Sequence, residues 1–182
     1  NLLGVGDAYG VVLVHEGTVD YRLEGPEAVP LVVLVHGFST PFPVGDDYFT
    51  PLTEAGYRVL AEETGGRGRA SRTDAVYDAE LFDRQLAGLL EALNVNRRID
   101  LVGYSMGGAI ATVFTARHPD LVRSLTLIAP AGLGVAANEN VEMLKRPLIG
   151  DWIVRLFGTR LFYSAAAEEA RNAPNPGAFL AG

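Results

Sequence analysis

A serine flanked by glycines is the residue of this sequence best suited to covalent chemistry. Ser105 is the central residue of a Gly-x-Ser-x-Gly pattern that follows the apolar run Ile99–Val102 directly. In a sharp turn from a strand into a helix the central residue adopts a strained backbone conformation, which is sterically possible only when nearby residues lack bulky side chains. The pattern therefore predicts a nucleophile elbow, with Ser105 as nucleophile and Gly103, Gly107 and Gly108 as its structural glycines.

The helix predicted after this turn supplies the second requirement of acyl chemistry, a group that stabilises negative charge. The first backbone N–H groups of a helix have no partner within it and carry a partial positive charge. The Met106 amide is thus placed to bind an oxyanion beside Ser105. The alternative is a glycine–serine turn that occurs by chance, since the chain has 21 glycines. The strand before the turn and the helix after it favour the elbow.

A second motif lies earlier in the chain, where the apolar run Leu31–Val35 ends in His36-Gly37-Phe38. The two motifs at this spacing resemble the α/β-hydrolase family, in its cap-bearing branch of esterases, lipases and related serine hydrolases. The resemblance implies that the Phe38 amide is the second oxyanion donor beside Met106. It also implies a structural role in the oxyanion loop, rather than proton transfer, for His36 and Gly37.

The resemblance covers about residues 11–132 and includes one departure. Where such enzymes tend to read Asp-x-x-Gly-x-Gly-x-Ser, residues 63–70 read Glu-Thr-Gly-Gly-Arg-Gly-Arg-Ala. The departure concerns the hydrogen bonding of this loop and leaves the predicted nucleophile unaffected.

The elements that position these motifs follow from the hydrophobic pattern. Three helices are predicted, over Asp46–Ala55, from an N-cap at Asp78 to Leu93, and from Ser105 to His118 before Pro119. Apolar or alternating runs predict six strands, the first two as an antiparallel hairpin around Glu16 and Gly17. These strands are expected at Val11–His15, Thr18–Leu23, Leu31–Val35, Tyr57–Ala61, Ile99–Val102 and Leu125–Ala129.

Strands alternating with helices predict an α/β fold with a mostly parallel sheet and a ligand site at the carboxyl ends of the strands. The resemblance implies an α/β-hydrolase fold with eight strands in the order 1-2-4-3-5-6-7-8, of which six are recognisable. We expect residues 1–132 to be the N-terminal part of this core and residues 133–182 a partial helical cap. An apolar stripe at 148–157 has the period of a cap helix packed over the site, and a membrane-touching lid is the alternative.

A serine nucleophile needs a histidine base and a carboxylate that orients it, which the family places after the serine in the chain. The only histidine after Ser105 is His118, roughly 20 Å away at the far end of the predicted helix, where it fits a helix cap better than a base. The remaining histidines are His15, on an early strand, and His36. We therefore expect the catalytic histidine and acid beyond Gly182, in another chain or in residues absent here. That remainder of the domain would pair with the strand at 125–129, which otherwise forms an apolar edge.

Composition excludes several other classes of function. The net charge is −7 and the chain has no cysteine, so we expect no nucleic-acid partner, no thiolate metal site and no cysteine nucleophile. No cofactor or metal is expected, and no apolar run is long enough for a transmembrane segment. We expect a soluble protein, with the cytoplasm favoured slightly among compartments that the sequence leaves open.

The predicted function is a serine hydrolase that cleaves carboxylic esters through an acyl-enzyme on Ser105, with a small acyl ester or similar carbonyl compound as substrate. Carbon–carbon bond hydrolysis, lactone opening and perhydrolysis remain open on the same fold. A serine at the elbow disfavours dehalogenase and epoxide hydrolase chemistry, which require aspartate there. A non-catalytic module that keeps the pocket to bind a ligand is the remaining alternative.

Overall fold

The computed structural model describes residues 8–38, 46–63 and 77–132. Contacts divide the chain into two compact units, Asn1–Ala131 and Gly132–Gly182, and every described residue except Gly132 belongs to the first unit. The cap predicted over 133–182, including its apolar stripe, and most of the loop at 63–70 lie outside the described residues.

The first unit is built on a six-stranded sheet, and the predicted α/β class is confirmed. Its strands are β1 Ala8–Val14, β2 Gly17–Glu24, β3 Leu31–Val35, β4 Arg58–Glu62, β5 Ile99–Tyr104 and β6 Val122–Ile128. Their order is β1-β2-β4-β3-β5-β6. β1 and β2 form the expected antiparallel hairpin, β2 is also antiparallel to β4, and β3 to β6 are mutually parallel. The carboxyl ends of β3, β4 and β5 therefore meet at one edge of the sheet.

Three helices cover this sheet at the predicted places: α1 Asp46–Glu54, α2 Ala79–Ala92 and α3 Met106–Arg117. α2 begins at Asp78, whose carboxylate accepts a hydrogen bond of 2.9 Å from the Leu81 amide. It ends in a Schellman motif, in which the amide of Val95 donates to the carbonyl of Leu90 and Asn94 adopts φ 52°.

The side chains of β3 alternate between two hydrophobic clusters, as a strand that is covered on both faces requires. Leu31, Val33 and Val35 pack in the cluster that contains the apolar residues of α2 and α3. Val32 and Leu34 pack in a second cluster with Phe49 of α1. All five are buried, so the strand that leads to His36 is fixed from both sides.

The β1–β2 turn is attached to α2 by a buried carboxylate. The side chain of Glu16 is only 4% exposed and accepts a hydrogen bond of 2.6 Å from Nε of Arg84 on α2. This bond holds the pKa of Arg84 above its ordinary value, and it joins the hairpin to the helix layer.

Within the described part of the chain, β6 is an edge strand of the sheet. It pairs with β5 on one side, and four of its seven residues are exposed, Arg123, Ser124, Thr126 and Leu127. Arg123 forms an ion pair with Asp100 of β5, and this hydrogen bond from Arg123 holds the pKa of Asp100 below its ordinary value of 3.8.

Candidate active site

Ser105 lies in the turn between β5 and α3 with an unusual backbone conformation. Its φ is 50° and its ψ is −116°, in a region that residues with a side chain rarely adopt. Such a conformation costs on the order of 1–3 kcal/mol and persists only where the surrounding structure enforces it. The side chain makes no capping hydrogen bond to α3, although serine is among the residues that prefer to cap helices.

Three backbone hydrogen bonds enforce this conformation. The Ser105 amide donates to the carbonyl of Ile128 at 3.0 Å, at the end of β6. The Ser105 carbonyl accepts from the amides of Gly108 at 3.0 Å and Ala131 at 2.8 Å. The turn is thus tied to the first turn of α3 and to the segment after β6, which satisfies the backbone groups of Ser105 and offsets the strain.

The glycines of the motif are required by close backbone contacts. A Cβ atom on Gly103 would lie 2.7 Å from the carbonyl carbon of Gly107, and one on Gly107 would lie 2.5 Å from the carbonyl oxygen of His36. A Cβ on Gly108 would lie 2.6 Å from Cβ of Pro130. Real Cβ atoms essentially never come within 3.0 Å of such atoms. The absence of three side chains therefore lets β5, α3 and the end of β3 meet closely around Ser105.

The segment after β3 is brought against the first turn of α3 by the same contacts. Val35, the last residue of β3, is level with Gly103 of β5, and His36 follows it. Nδ1 of His36 donates a hydrogen bond of 2.6 Å to the carbonyl oxygen of Gly37, which fixes the ring to its own loop. Gly37 is buried, whereas Phe38 is 46% exposed. The structure therefore places His36, the first residue of the predicted oxyanion loop 36–38, against Gly107, two residues after the predicted nucleophile.

Met106 is the first residue of α3 and follows Ser105 directly. Its amide is one of the N–H groups that a helix leaves without an intrahelical acceptor, at the positive end of the helix dipole. A backbone donor at this point suits a negative charge that develops near the Ser105 hydroxyl.

The other histidines lie away from this turn. His118 is the C-cap of α3, roughly 20 Å along the helix from Ser105. Its Nε2 lies 3.1 Å from Oδ1 of Asp83 on α2, and its ring packs on Phe114 with 4.4 Å between centroids. This histidine–carboxylate pair joins two helices, in agreement with the helix-cap interpretation of His118. His15 lies in the β1–β2 turn with a side chain that is 95% exposed.

The sequence did not predict one feature of this edge, the burial of two adjacent carboxylates at the end of β4. Glu62 is 3% exposed and Glu63 is 7% exposed. Glu62 is level with Val35 of β3, so both carboxylates lie at the sheet edge that carries the oxyanion loop. The available signal was an apolar strand that ends in two adjacent glutamates.

A strand, a strained serine and a helix at the carboxyl edge of a parallel α/β sheet define a hydrolase-type fold. The family described as the alpha/beta hydrolase fold matches residues 30–169, and the chain belongs to that family.

Individual relatives include enzymes of more than one reaction type. The chain is 35% identical over 132 residues to a pimeloyl-[acyl-carrier protein] methyl ester esterase of Neisseria meningitidis. The aligned region covers 72% of this chain and 49% of the esterase. It is 32% identical over 145 residues to a 2-hydroxy-6-oxo-6-(2'-aminophenyl)hexa-2,4-dienoic acid hydrolase of Metapseudomonas resinovorans. That aligned region covers 78% of this chain and 48% of the hydrolase. The chain thus spans about half the length of these curated relatives.

Solved structures support the same fold. A membrane phospholipase A, described as a bacterial virulence factor, is 38% identical with a TM-score of 0.68, over 78% of this chain and 46% of the phospholipase. Among the described residues of the present chain, α1 to α3 are all too short or too polar to cross a membrane as helices.

Proposed function

We propose that this protein is a serine hydrolase that cleaves carboxylic esters through an acyl-enzyme on Ser105. The observation that carries the proposal is the Ser105 backbone at φ 50°, held by three hydrogen bonds in a turn that only glycine neighbours permit. Strain of this kind is typical of functional sites. It leaves the hydroxyl at the edge of the sheet, uncommitted to capping the helix that follows.

In the proposed reaction the Ser105 hydroxyl oxygen attacks the carbonyl carbon of the ester, and its proton passes to a base. The carbonyl oxygen becomes an oxyanion, to which the amides of Phe38 and Met106 donate hydrogen bonds. Collapse of this intermediate expels the alcohol with the proton from the base, and water then releases the acid by the same steps. Removal of one such donor typically costs about 100-fold or more in kcat.

The base and its orienting acid are proposed to come from outside the 182 residues. The chain contains three histidines, of which His15 and His118 lie far from Ser105 and His36 is bonded to its own loop. The contributing segment would also pair with the β6 edge, as expected for the strand at 125–129.

Ester hydrolysis is supported by the methyl ester esterase at 35% identity. Hydrolysis of a carbon–carbon bond is the second candidate, because the dienoic acid hydrolase at 32% identity belongs to the same family. Both reactions place an oxyanion beside the elbow, so the described geometry serves either of them. The two reactions differ in the group that leaves.

The test is turnover by the protein as its gene encodes it. A p-nitrophenyl ester series of increasing acyl length is assayed beside a 2-hydroxy-6-oxo-dienoate, a lactone and a peracid-forming mixture. We expect the highest kcat/KM for an ester, and its loss in Ser105→Ala but not in Ser124→Ala, a serine on the exposed edge strand β6. Preference for the dienoate would establish the second candidate. No turnover of any substrate would favour a non-catalytic binding module.

A further inference from the structure

The carbonyl group of Ser105 and the amide of Met106 belong to one peptide unit, which we name the 105–106 peptide. A peptide unit is planar, and in the trans form found here its C=O and N–H point in opposite directions. Any group that fixes the direction of the Ser105 carbonyl therefore also fixes the direction of the Met106 N–H. That N–H is one of the two proposed oxyanion donors.

Two amides donate hydrogen bonds to the Ser105 carbonyl. The Gly108 amide, at 3.0 Å, lies within the first turn of α3. The Ala131 amide, at 2.8 Å, comes from the segment that follows β6. A bond from within α3 moves together with that helix, whereas the bond from Ala131 attaches the 105–106 peptide to the sheet. The Ala131 amide therefore holds the plane of this peptide from outside the helix.

The Ala131 amide is placed by a strained turn after β6, residues 129–131, which we name the β6 turn. Ala129 adopts φ 42°, in the left-handed region that residues with a Cβ rarely occupy. The residue before it, Ile128, accepts the hydrogen bond of the Ser105 amide at 3.0 Å. The chain on either side of Ala129 thus binds both peptide units that flank Ser105. Strain of this kind persists where the surrounding structure enforces it and is concentrated at functional sites.

Pro130 fixes the β6 turn against the first turn of α3. A Cβ atom on Gly108 would lie 2.6 Å from Cβ of Pro130 and 2.9 Å from its Cα, so the two segments are already in direct contact. The proline ring also restricts its own φ, which removes one degree of freedom from the turn. The amide that follows Pro130 is therefore held close to the Ser105 carbonyl.

The hydrogen bond from Ala131 also changes the electrostatics of the 105–106 peptide. Hydrogen bonds in a chain polarise one another, so a donor on the carbonyl makes the N–H of the same peptide a stronger donor. When an oxyanion forms, the chain runs from the Ala131 N–H through the 105–106 peptide to the negative charge. The bond from Ala131 then strengthens as charge develops, and it stabilises the transition state more than the bound substrate.

We propose that the Ala131 amide is a positioning group of the oxyanion hole and acts through the 105–106 peptide. It does not touch the substrate. It directs the Met106 N–H at the oxyanion and polarises it. This inference rests on the proposed function, because it requires an oxyanion beside Ser105, and it applies equally to cleavage of an ester and of a carbon–carbon bond.

A single backbone substitution tests the role of this amide in the protein as its gene encodes it. Residue 131 is replaced by lactic acid, the hydroxy acid that corresponds to alanine, which removes the N–H and retains the methyl group. We expect kcat for a p-nitrophenyl ester, and the rate of fluorophosphonate labelling at Ser105, to fall at least about tenfold. KM should stay within about twofold, because the bond matters most in the transition state.

The matched control removes one hydrogen bond at the other end of α3. The Leu121 amide donates to the His118 carbonyl at 3.0 Å, and replacement of Leu121 by its hydroxy acid removes that N–H. Both variants should lose a similar amount of urea midpoint, whereas kcat of the control should stay within about twofold. An equal loss of kcat in the two variants, or an unchanged kcat in the lactic acid variant, would overturn the inference. Absence of labelling in the original protein would instead overturn the proposed function, and this inference with it.

Nuclear magnetic resonance of the unmodified protein gives a readout that does not require a stable variant. A trifluoromethyl ketone forms a bond from its carbonyl carbon to Oγ of Ser105, the hydroxyl proton passes to the base, and the ketone oxygen becomes an oxyanion. The Ala131 amide proton should then shift downfield, because its hydrogen bond strengthens, and the Leu121 amide proton should not. The shift should be absent in Ser105→Ala. An unmoved Ala131 resonance in a protein that has formed the adduct would contradict the inference.

Discussion

Replacement of Gly107 by alanine should damage both stability and catalysis, because the added methyl group has no free space. Its Cβ would lie 2.5 Å from the His36 carbonyl oxygen and 2.6 Å from the Val35 carbonyl carbon, against a lower limit of 3.0 Å. The closest contact would be with the Val35 carbonyl oxygen, so the end of β3 and the first turn of α3 must separate there by about 0.9 Å. The new Cβ is fixed to the backbone of α3 and the atoms it would meet are backbone carbonyl groups, so rotation of a side chain cannot relieve the contact.

The size of the effect follows from that displacement. Overpacking of a close-packed interior costs about 1–3 kcal/mol, and a contact between two backbone segments belongs at the upper end of this range. The shift also moves the 36–38 loop away from Ser105, which would misplace the Phe38 amide relative to the oxyanion. A misplacement of 1 Å can cost about 100-fold in rate. We therefore expect the folded molecules of the variant to react at Ser105 at least about tenfold more slowly.

Two measurements check this on the protein as its gene encodes it: urea unfolding, and the second-order rate of labelling by a fluorophosphonate. Gly88→Ala is the matched control, since it is the same change within α2. There the new Cβ would lie 3.2 Å from Cβ of Val14, so β1 and α2 need to shift by only a few tenths of an ångström, and the helix gains from alanine in place of glycine. A Gly107→Ala variant whose free energy of unfolding is within about 1 kcal/mol of the original protein, and whose labelling rate is within threefold, would show that the backbone at Gly107 accommodates a methyl group.

Three further predictions concern the elements around the site. Asp78→Ala removes the cap of α2, whose carboxylate accepts from the Leu81 amide, and should lower the free energy of unfolding by about 1 kcal/mol in urea titrations; no change would mean that the cap is dispensable. Asn94→Val places a β-branched residue at φ 52° and should cost about 1–2 kcal/mol, whereas Asn94→Gly should be tolerated; equal thermal midpoints would contradict this. Arg123 lowers the pKa of Asp100, so the contribution of this carboxylate to the free energy of unfolding is present above pH 3.8 and is lost as the pH falls below that value. The difference in urea midpoint between the original protein and Asp100→Asn should therefore shrink only in that acid range.

Much of the fold could be predicted because the hydrophobic pattern and the helix caps agree. The range predicted for β3 matches the structure residue for residue, and α2 begins after the predicted cap at Asp78. The ends of exposed strands were predicted less well. β6 starts at Val122, three residues before the predicted Leu125, because the polar residues Arg123 and Ser124 are exposed on an edge strand and interrupt the apolar pattern.

Some features of the candidate site could likewise be predicted from the sequence, and others could not. The glycine pattern around Ser105 predicts a strained turn because it encodes a local steric requirement, and the strained conformation is found there. The burial of Glu62 and the hydrogen bond that the Ala131 amide donates to Ser105 could not be predicted, since both depend on which strands and turns meet in three dimensions. Charged residues near strand ends are ordinarily exposed, so their types alone predict solvent contact.

If Ser105 is a nucleophile, a fluorophosphonate must bind to it covalently. The protein as its gene encodes it is treated with a fluorophosphonate, and the modified residue is located by peptide mass spectrometry. We expect one phosphonate per chain, attached at Ser105, absent in Ser105→Ala and retained in Ser124→Ala. Absence of labelling in a folded protein, or labelling at another residue that persists in Ser105→Ala, would show that Ser105 is not the nucleophile.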